Sequence, residues 1–306
     1  MLKNATRWLN AIGLALSIAA AGYFAWEITS ALDWSDANAL IETNGPMILL
    51  ALGLYLLAFV PMVVGWHTAL RICGVTISKQ SAARIFLVSQ FAKYVPGNVG
   101  HLIGRAILAR ADGVSTSTAS AAMLVEVVGV LIAACLMIGF AVSMGAEAVA
   151  GAPLLLLTTC GVITVCGGGA AFILRKQLHS IRFDPTLGIG LIGLFIAVFA
   201  LVCSSQMVLL GALTNSGLDQ DLLLLLTSAI LVSWLAGFLA PGAPAGLGVR
   251  EVSLTVLLSD LLPHDQVLVA AAGMRIVTLA GDGAMWALGL NLPRSVSSPK
   301  NIENKA

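Results

Sequence analysis

Of 306 residues, 58% are apolar and 10% charged, and the mean hydropathy is +0.96, far from the roughly 45–50% apolar and 25% charged of soluble domains. Such a chain belongs in a bilayer and leaves no stretch for a soluble catalytic domain. Its 16 Lys and Arg nearly balance its 15 Asp and Glu, so no excess of charge points to a nucleic-acid partner.

In chain order, Lys3 and Arg7 precede the apolar run Ala11 to Ile28. That run is long enough to be read as a spanning helix rather than a cleaved signal. Pro46 to Leu70 follows as a second span. Ser81 to Ala111 is apolar but interrupted near its middle by Pro96-Gly97, a pair that ends helices. Ala119 to Ser143, Pro153 to Leu174 and Leu187 to Leu213 again reach spanning length. Leu222 to Leu262 is interrupted by Pro241-Gly242, and Val267 to Leu290 is the sixth full span. The expectation is an all-α polytopic membrane protein with about six transmembrane helices and two broken or re-entrant helical hairpins. It forms one membrane domain over residues 1–293, with halves at about 8–143 and 153–290, and a cytoplasmic tail at 294–306.

The cations test this topology, because short cytoplasmic loops collect Lys and Arg. Lys3, Arg7, Arg71, Lys79, Arg84, Arg110, Arg175, Lys176, Arg182, Arg294, Lys300 and Lys305, twelve of the sixteen, fall in segments that it places in the cytoplasm. The expected outer loops hold Asp33, Asp36, Glu42, Glu147, Asp219, Asp221 and Asp265 with no Lys or Arg. Both termini are then cytoplasmic, the first hairpin opens inward and the second outward. The breaks also resemble each other: PGNVGHLIGR, Pro96 to Arg105, and PGAPAGLGVR, Pro241 to Arg250, each run Pro-Gly, seven residues, Arg. Opposed entry sides make this an expected inverted repeat, the arrangement in which broken helices build a transport site near the midplane.

The four remaining cations, Lys93, Arg105, Arg250 and Arg275, fall inside the membrane with Glu126, Glu251 and Asp282. A charge at the bilayer centre costs about 2.5–3.5 kcal/mol on insertion scales, so such groups persist where they pair or line a polar cavity. Pairing could join Arg275 to Asp282, seven residues apart, and Arg250 to Glu251. Three pairs still leave one surplus cation, and a cavity with a surplus Arg suits a phosphate. Gly97, Gly100 and Gly104 in one break, and Gly242, Gly246 and Gly248 in the other, allow close backbone approach to a ligand or to a neighbouring helix. His101, one turn before Arg105, is either a proton carrier or a polar packing residue.

Other motifs fail on context. GIGLIG, Gly188 to Gly193, has the glycine pattern of a dinucleotide site but lies in an apolar span without a preceding strand, and reads as helix packing. There is no Gly-x4-Gly-Lys-Ser/Thr stretch for ATP. Asp219-Gln-Asp221 lies in an outer loop too short for a nucleotide-sugar site. The five cysteines, Cys73, Cys135, Cys160, Cys166 and Cys203, lack metal or redox spacing and read as packing residues. No cofactor or metal is expected.

The stretches FAKYVPGNVGHLIGRAILARADGVSTSTASAAMLVE, APGAPAGLGVREVSLTVLL and AAAGMRIVTLAGD resemble the lysylphosphatidylglycerol synthase transmembrane family, also called flippase-like. The resemblance runs from about Ala82 onwards. It is carried by Lys93, Tyr94, Pro96 and Gly97 with Asn98, Gly100, His101, Arg105 and Glu126, and by Pro241, Gly242, Gly246, Gly248, Arg250 and Glu251, followed by Arg275. Ala243-Pro244-Ala245 departs from the glycine-rich run expected after the second Pro-Gly. The resemblance implies a translocase of the bacterial inner membrane that moves an anionic or aminoacylated phospholipid, or a polyprenyl-linked lipid, between leaflets. No aminoacyl-transferase domain follows Leu290, so a separately encoded lipid-modifying enzyme is the expected partner. Two other readings remain: a non-catalytic partner of such an enzyme, and a membrane-embedded glycosyltransferase using Asp33 and Asp36.

Overall fold

The structure, a computed structural model, describes Gly22 and residues 34–94, 100–144, 184–214, 220–240, 243–259 and 261–293. Among these, every regular element is helical. Apart from Gly22, the expected spans Ala11 to Ile28 and Pro153 to Leu174 lie outside the described residues.

Helices α1 (Trp34–Leu57) and α2 (Phe59–Ile72) form a jointed rod. Bonds from the Ala58 N–H to the Leu54 carbonyl, 3.1 Å, and from the Met62 N–H to the Ala58 carbonyl, 3.3 Å, carry the ladder through the joint. Pro61 has no N–H to offer the Leu57 carbonyl, which accounts for the interruption. Asp36 and Glu42, expected in a loop, lie within α1 instead. Ala37, Ala39 and Leu40 are good helix formers and extend the helix beyond the apolar window that marked the span.

The first hairpin is α3 (Lys79–Gln90), a 3-10 turn (Phe91–Tyr94) and α4 (Gly100–Ala111). Ser78 begins α3 by accepting the Ser81 N–H at 3.1 Å, and Ser115 begins α5 (Thr116–Ser143) by accepting the Thr118 N–H at 3.1 Å. These caps satisfy amides that a helix start otherwise leaves open. The helices before them end alike: Gly74 and Gly113 adopt φ of 75° and 88°, and Val75 and Val114 donate to the Leu70 and Ala109 carbonyls at 3.0 Å. Both are glycine-closed helix ends of one type. At about 1.5 Å per residue, the 12 residues of α4 reach about 18 Å, short of a hydrocarbon core of about 30 Å.

The second half contains α6 (Pro185–Thr214), α7 (Gln220–Leu239), a 3-10 turn (Pro244–Gly246), α8 (Val249–Leu258) and α9 (His264–Asn291). Asp184 starts α6 by accepting from the Thr186 N–H at 2.9 Å and its hydroxyl at 2.6 Å. Those donors hold the Asp184 carboxyl below the usual carboxylate range. Among the described residues five segments are long and apolar enough to cross a membrane: Thr43–Ile72, Thr116–Ser143, Pro185–Ala212, Leu222–Leu239 and Gln266–Asn291. Four coincide with expected spans. The fifth is the first limb of the second hairpin, so the two hairpins are unequal: α7 alone has spanning length and α3 does not.

Helix α6 touches α1, α2, α5, α7 and α9. The Phe195 ring lies so near Gly65 and Gly129 that a Cβ on either would stand 3.1 Å from it. Ser205 donates to the Ala51 carbonyl at 2.7 Å, tying α6 to α1. Two of the GIGLIG glycines, Gly190 and Gly193, do not pack as expected. A Cβ on Gly190 or Gly193 would meet nothing within 4 Å, and the neighbouring Ile189 is 72% exposed; this face carries apolar groups turned outward, as lipid contact requires. The two 3-10 turns, Phe91–Tyr94 and Pro244–Gly246, touch each other.

Candidate functional site

Around that meeting point lies a cavity of about 230 Å³. Lys93, Tyr94, His101, Arg105, Glu126, Arg250, Glu251 and Arg275 line it, together with Val127, Val130, Phe195, Val198, Phe199 and Val202 from α5 and α6. It therefore offers a charged cluster beside an apolar wall. Eight side chains singled out in the sequence converge here. Gly100 starts α4, Gly246 ends the second 3-10 turn and Gly248 precedes the first residue of α8. Pro96, Gly97, Asn98, Pro241 and Gly242 lie outside the described residues.

The three carboxylates each have a cation, but not the cation that chain proximity suggests. Arg105 Nη1 meets Glu126 Oε2 at 2.5 Å. Lys93 Nζ meets Asp282 Oδ2 at 2.8 Å. Arg275 Nη2 pairs with Glu251 Oε1. The alternative pairs, Arg275 with Asp282 and Arg250 with Glu251, do not form. Seven residues along a helix separate two side chains by about 10.5 Å of rise, whereas α8 and the first 3-10 turn pack directly on α9.

Arg105 is the most enclosed of the four cations, 2% exposed. Its guanidinium lies 5.0 Å from the Trp66 ring centroid and 4.3 Å from that of Phe86, and its Nε donates to Ser89 Oγ at 3.3 Å. Aromatic faces and a carboxylate together satisfy a guanidinium that water does not reach. Ser89, Trp66 and Phe86 carry no motif, and their part in the site is visible only in three dimensions.

Arg250 differs. Among the described residues no carboxylate lies within ion-pair distance of it, and its Nε is buried without a hydrogen-bond partner. Its guanidinium stands 5.6 Å from the Trp234 ring centroid. Its stem lies across two glycines: a Cβ on Gly246 would be 2.7 Å from Nε, and one on Gly237 would overlap the side chain. Gly246 (φ 69°) and Ala245 (φ 52°) are left-handed, which brings the turn backbone against α7. Two acceptors nearby are also open, Glu251 Oε2 and His101 Nδ1, both buried and without partners among the described residues.

Asp282 is the best-bound carboxylate. Besides Lys93 it accepts from Tyr55 Oη at 3.0 Å and Tyr94 Oη at 2.5 Å. Tyr55 lies in a span with no sequence signal to mark it. Among the described residues no group of three His, Cys, Asp or Glu could hold a metal ion. Cys73, Cys135 and Cys203 form no disulfide, and Cys160 and Cys166 lie outside the described residues.

No curated protein matches the chain. The profile described as Lysylphosphatidylglycerol synthase TM region matches residues 10–283, taking in both hairpins and every charged residue of the cavity. The chain is a multi-pass membrane protein and belongs to the lysylphosphatidylglycerol synthase transmembrane-region family.

Proposed function

We propose that the chain is a translocase of the bacterial inner membrane, with cytoplasmic termini, that moves a lipid between leaflets without hydrolysing ATP. Its substrate class is an anionic or aminoacylated phospholipid or a polyprenyl-linked phosphate. The observation that carries this reading is Arg250, a cation in the cavity with a buried Nε and no carboxylate among the described residues. An uncompensated charge at membrane depth is costly to keep, and a phosphate oxygen supplies the missing partner. The fork of the guanidinium matches two phosphate oxygens, the open Glu251 Oε2 accepts an amine of an aminoacylated headgroup, and the Val127, Val130 and Phe199 wall takes the first part of the hydrocarbon. Modification of the lipid falls to a separate enzyme.

The test uses the purified chain in liposomes, with leaflet redistribution followed for labelled phospholipids, aminoacyl lipids and polyprenyl phosphates. Movement of one class by the chain alone is the expected result. Arg250→Ala should slow it roughly ten- to a hundredfold, since charge-assisted hydrogen bonds contribute about 1.5–3 kcal/mol and about 1.4 kcal/mol is tenfold. Arg250→Lys should recover little. Wild-type movement by folded Arg250→Ala protein would remove that arginine from the site, and no movement of any class would favour a non-catalytic partner.

A further inference from the structure

Asp282 does not line the cavity; its side chain is fully buried behind Lys93, Tyr55 and Tyr94, which do. Among the described residues one cation contacts it, and that cation is 24% exposed against 0% for the carboxylate. Lys93 lies in the 3-10 turn at the hairpin break, facing the volume an anionic headgroup would enter. Lys93 and Arg250 line the same cavity, so one anionic headgroup can engage both. As Lys93 turns to it, Asp282 loses the one cation that contacts it among the described residues and keeps two hydroxyl donors.

We infer that Asp282 is a proton-binding site coupled to occupation of the cavity: when an anionic group engages Lys93, the Asp282 carboxylate takes up one proton. This rests on the proposal that the cavity holds an anionic headgroup. The reason is the unfavourable alternative, an unpaired carboxylate in a dry interior, where proton uptake removes the charge. The hydroxyls provide the path. Tyr94 Oη–H gives its proton to Asp282 Oδ2 and regains one from hydronium in the cavity, which becomes water; no electron is transferred. The groups facing Asp282 are Tyr55 from α1 and Lys93 and Tyr94 from the first turn. Arg250 of α8 and Arg275 of α9 act on the same cluster at longer range. Among the described residues α3 and α6 place no charged side chain in contact with it. Binding and protonation are then reciprocal, so lower pH strengthens binding.

The full-length chain in detergent, in weakly buffered solution, is titrated with dihexanoylphosphatidylglycerol, a phosphodiester that does not itself titrate near neutral pH. Heat and pH are recorded together. The expected result is about one proton taken up per anion bound, with affinity rising about tenfold per unit fall in pH while the linkage is one to one. Asp282→Asn alone strands Lys93, so the paired variant Lys93→Met/Asp282→Asn, which removes both charges, is the control; it should bind more weakly, with no uptake and no pH slope. Binding without uptake in wild type, uptake persisting in the paired variant, or no binding at all would each overturn the inference. The same protein in liposomes separates it from the function proposed above. Lipid movement indifferent to a pH gradient sinks the coupling and leaves the translocase, whereas proton uptake without movement does the reverse.

Discussion

The two broken hairpins each place an arginine eight residues after a Pro-Gly pair, yet the arginines live in different worlds. Arg105 is ion-paired to Glu126, bonded to Ser89 and held between Trp66 and Phe86. Arg250 has no ion pair and no partner for its Nε among the described residues, meets a single ring at Trp234, and rests its stem on bare backbone at Gly237 and Gly246. A repeated motif thus carries chain geometry but not surroundings. The surroundings come from α2, α3 and α5 in one case and from α7 and the second 3-10 turn in the other, and of those residues only Gly246 belongs to the repeat. Arg105 is thus fixed in the cavity wall, whereas Arg250 keeps an open donor.

The largest expected effect is on the wall. Glu126→Leu leaves the Arg105 charge buried and unpaired, which typically destabilises by about 3–5 kcal/mol. Thermal unfolding in detergent should show a much lowered Tm, and adding Arg105→Met should restore most of it. A Glu126→Leu protein as stable as wild type would mean that Arg105 is not held as described.

A medium effect separates the two seats. Gly237→Ala forces a Cβ into the Arg250 stem, and overpacking of this kind costs about 1–3 kcal/mol. Gly104→Ala, whose Cβ would meet Ser89 Cβ at an ordinary 3.9 Å, should be neutral or stabilising by up to about 1 kcal/mol through helix propensity. Combining Gly237→Ala with Arg250→Ala should cost less than the sum of the two, because the obstructed side chain is gone. Equal responses at Gly104 and Gly237 would erase the contrast.

The smallest effect concerns the turn. Ala245 is left-handed, at about 1–2 kcal/mol for a residue with a Cβ, so Ala245→Gly should stabilise by less than about 1 kcal/mol once the added freedom of the unfolded chain is subtracted. Calorimetry would check it, and a loss of stability would mean that the Ala245 methyl packs more than its strain costs.

Much of this was legible in the sequence. Uninterrupted apolar runs mark spans because the bilayer demands length, and Pro-Gly marks breaks because proline lacks an N–H. The surplus cation could be counted, four against three, without knowing where it stood. Pairing could not be read, because Lys93 and Asp282 are neighbours only through the packing of the first turn on α9. Tyr55 and Gly237 also carried no sign: a tyrosine in an apolar span and a glycine in a leucine-rich one look ordinary until another backbone arrives beside them. The extension of α1 to Trp34 escaped notice because hydropathy reports the membrane, not the helix.

The three ion pairs also set an order of assembly during synthesis. Arg105 waits 21 residues for Glu126, and Glu251 waits 24 for Arg275, so each finds its partner within about one further membrane segment leaving the ribosome. Lys93 must wait until Asp282 has emerged, and Tyr94, one residue on, is 188 residues from that carboxylate. Until then the first hairpin holds an unneutralised ammonium at its tip, a reason for it to stay near the membrane surface or in the shelter of the insertion machinery. Arrival of α9 is thus the event that draws the tip home, and a chain stalled before residue 282 would present its break to solvent, where a protease could find it.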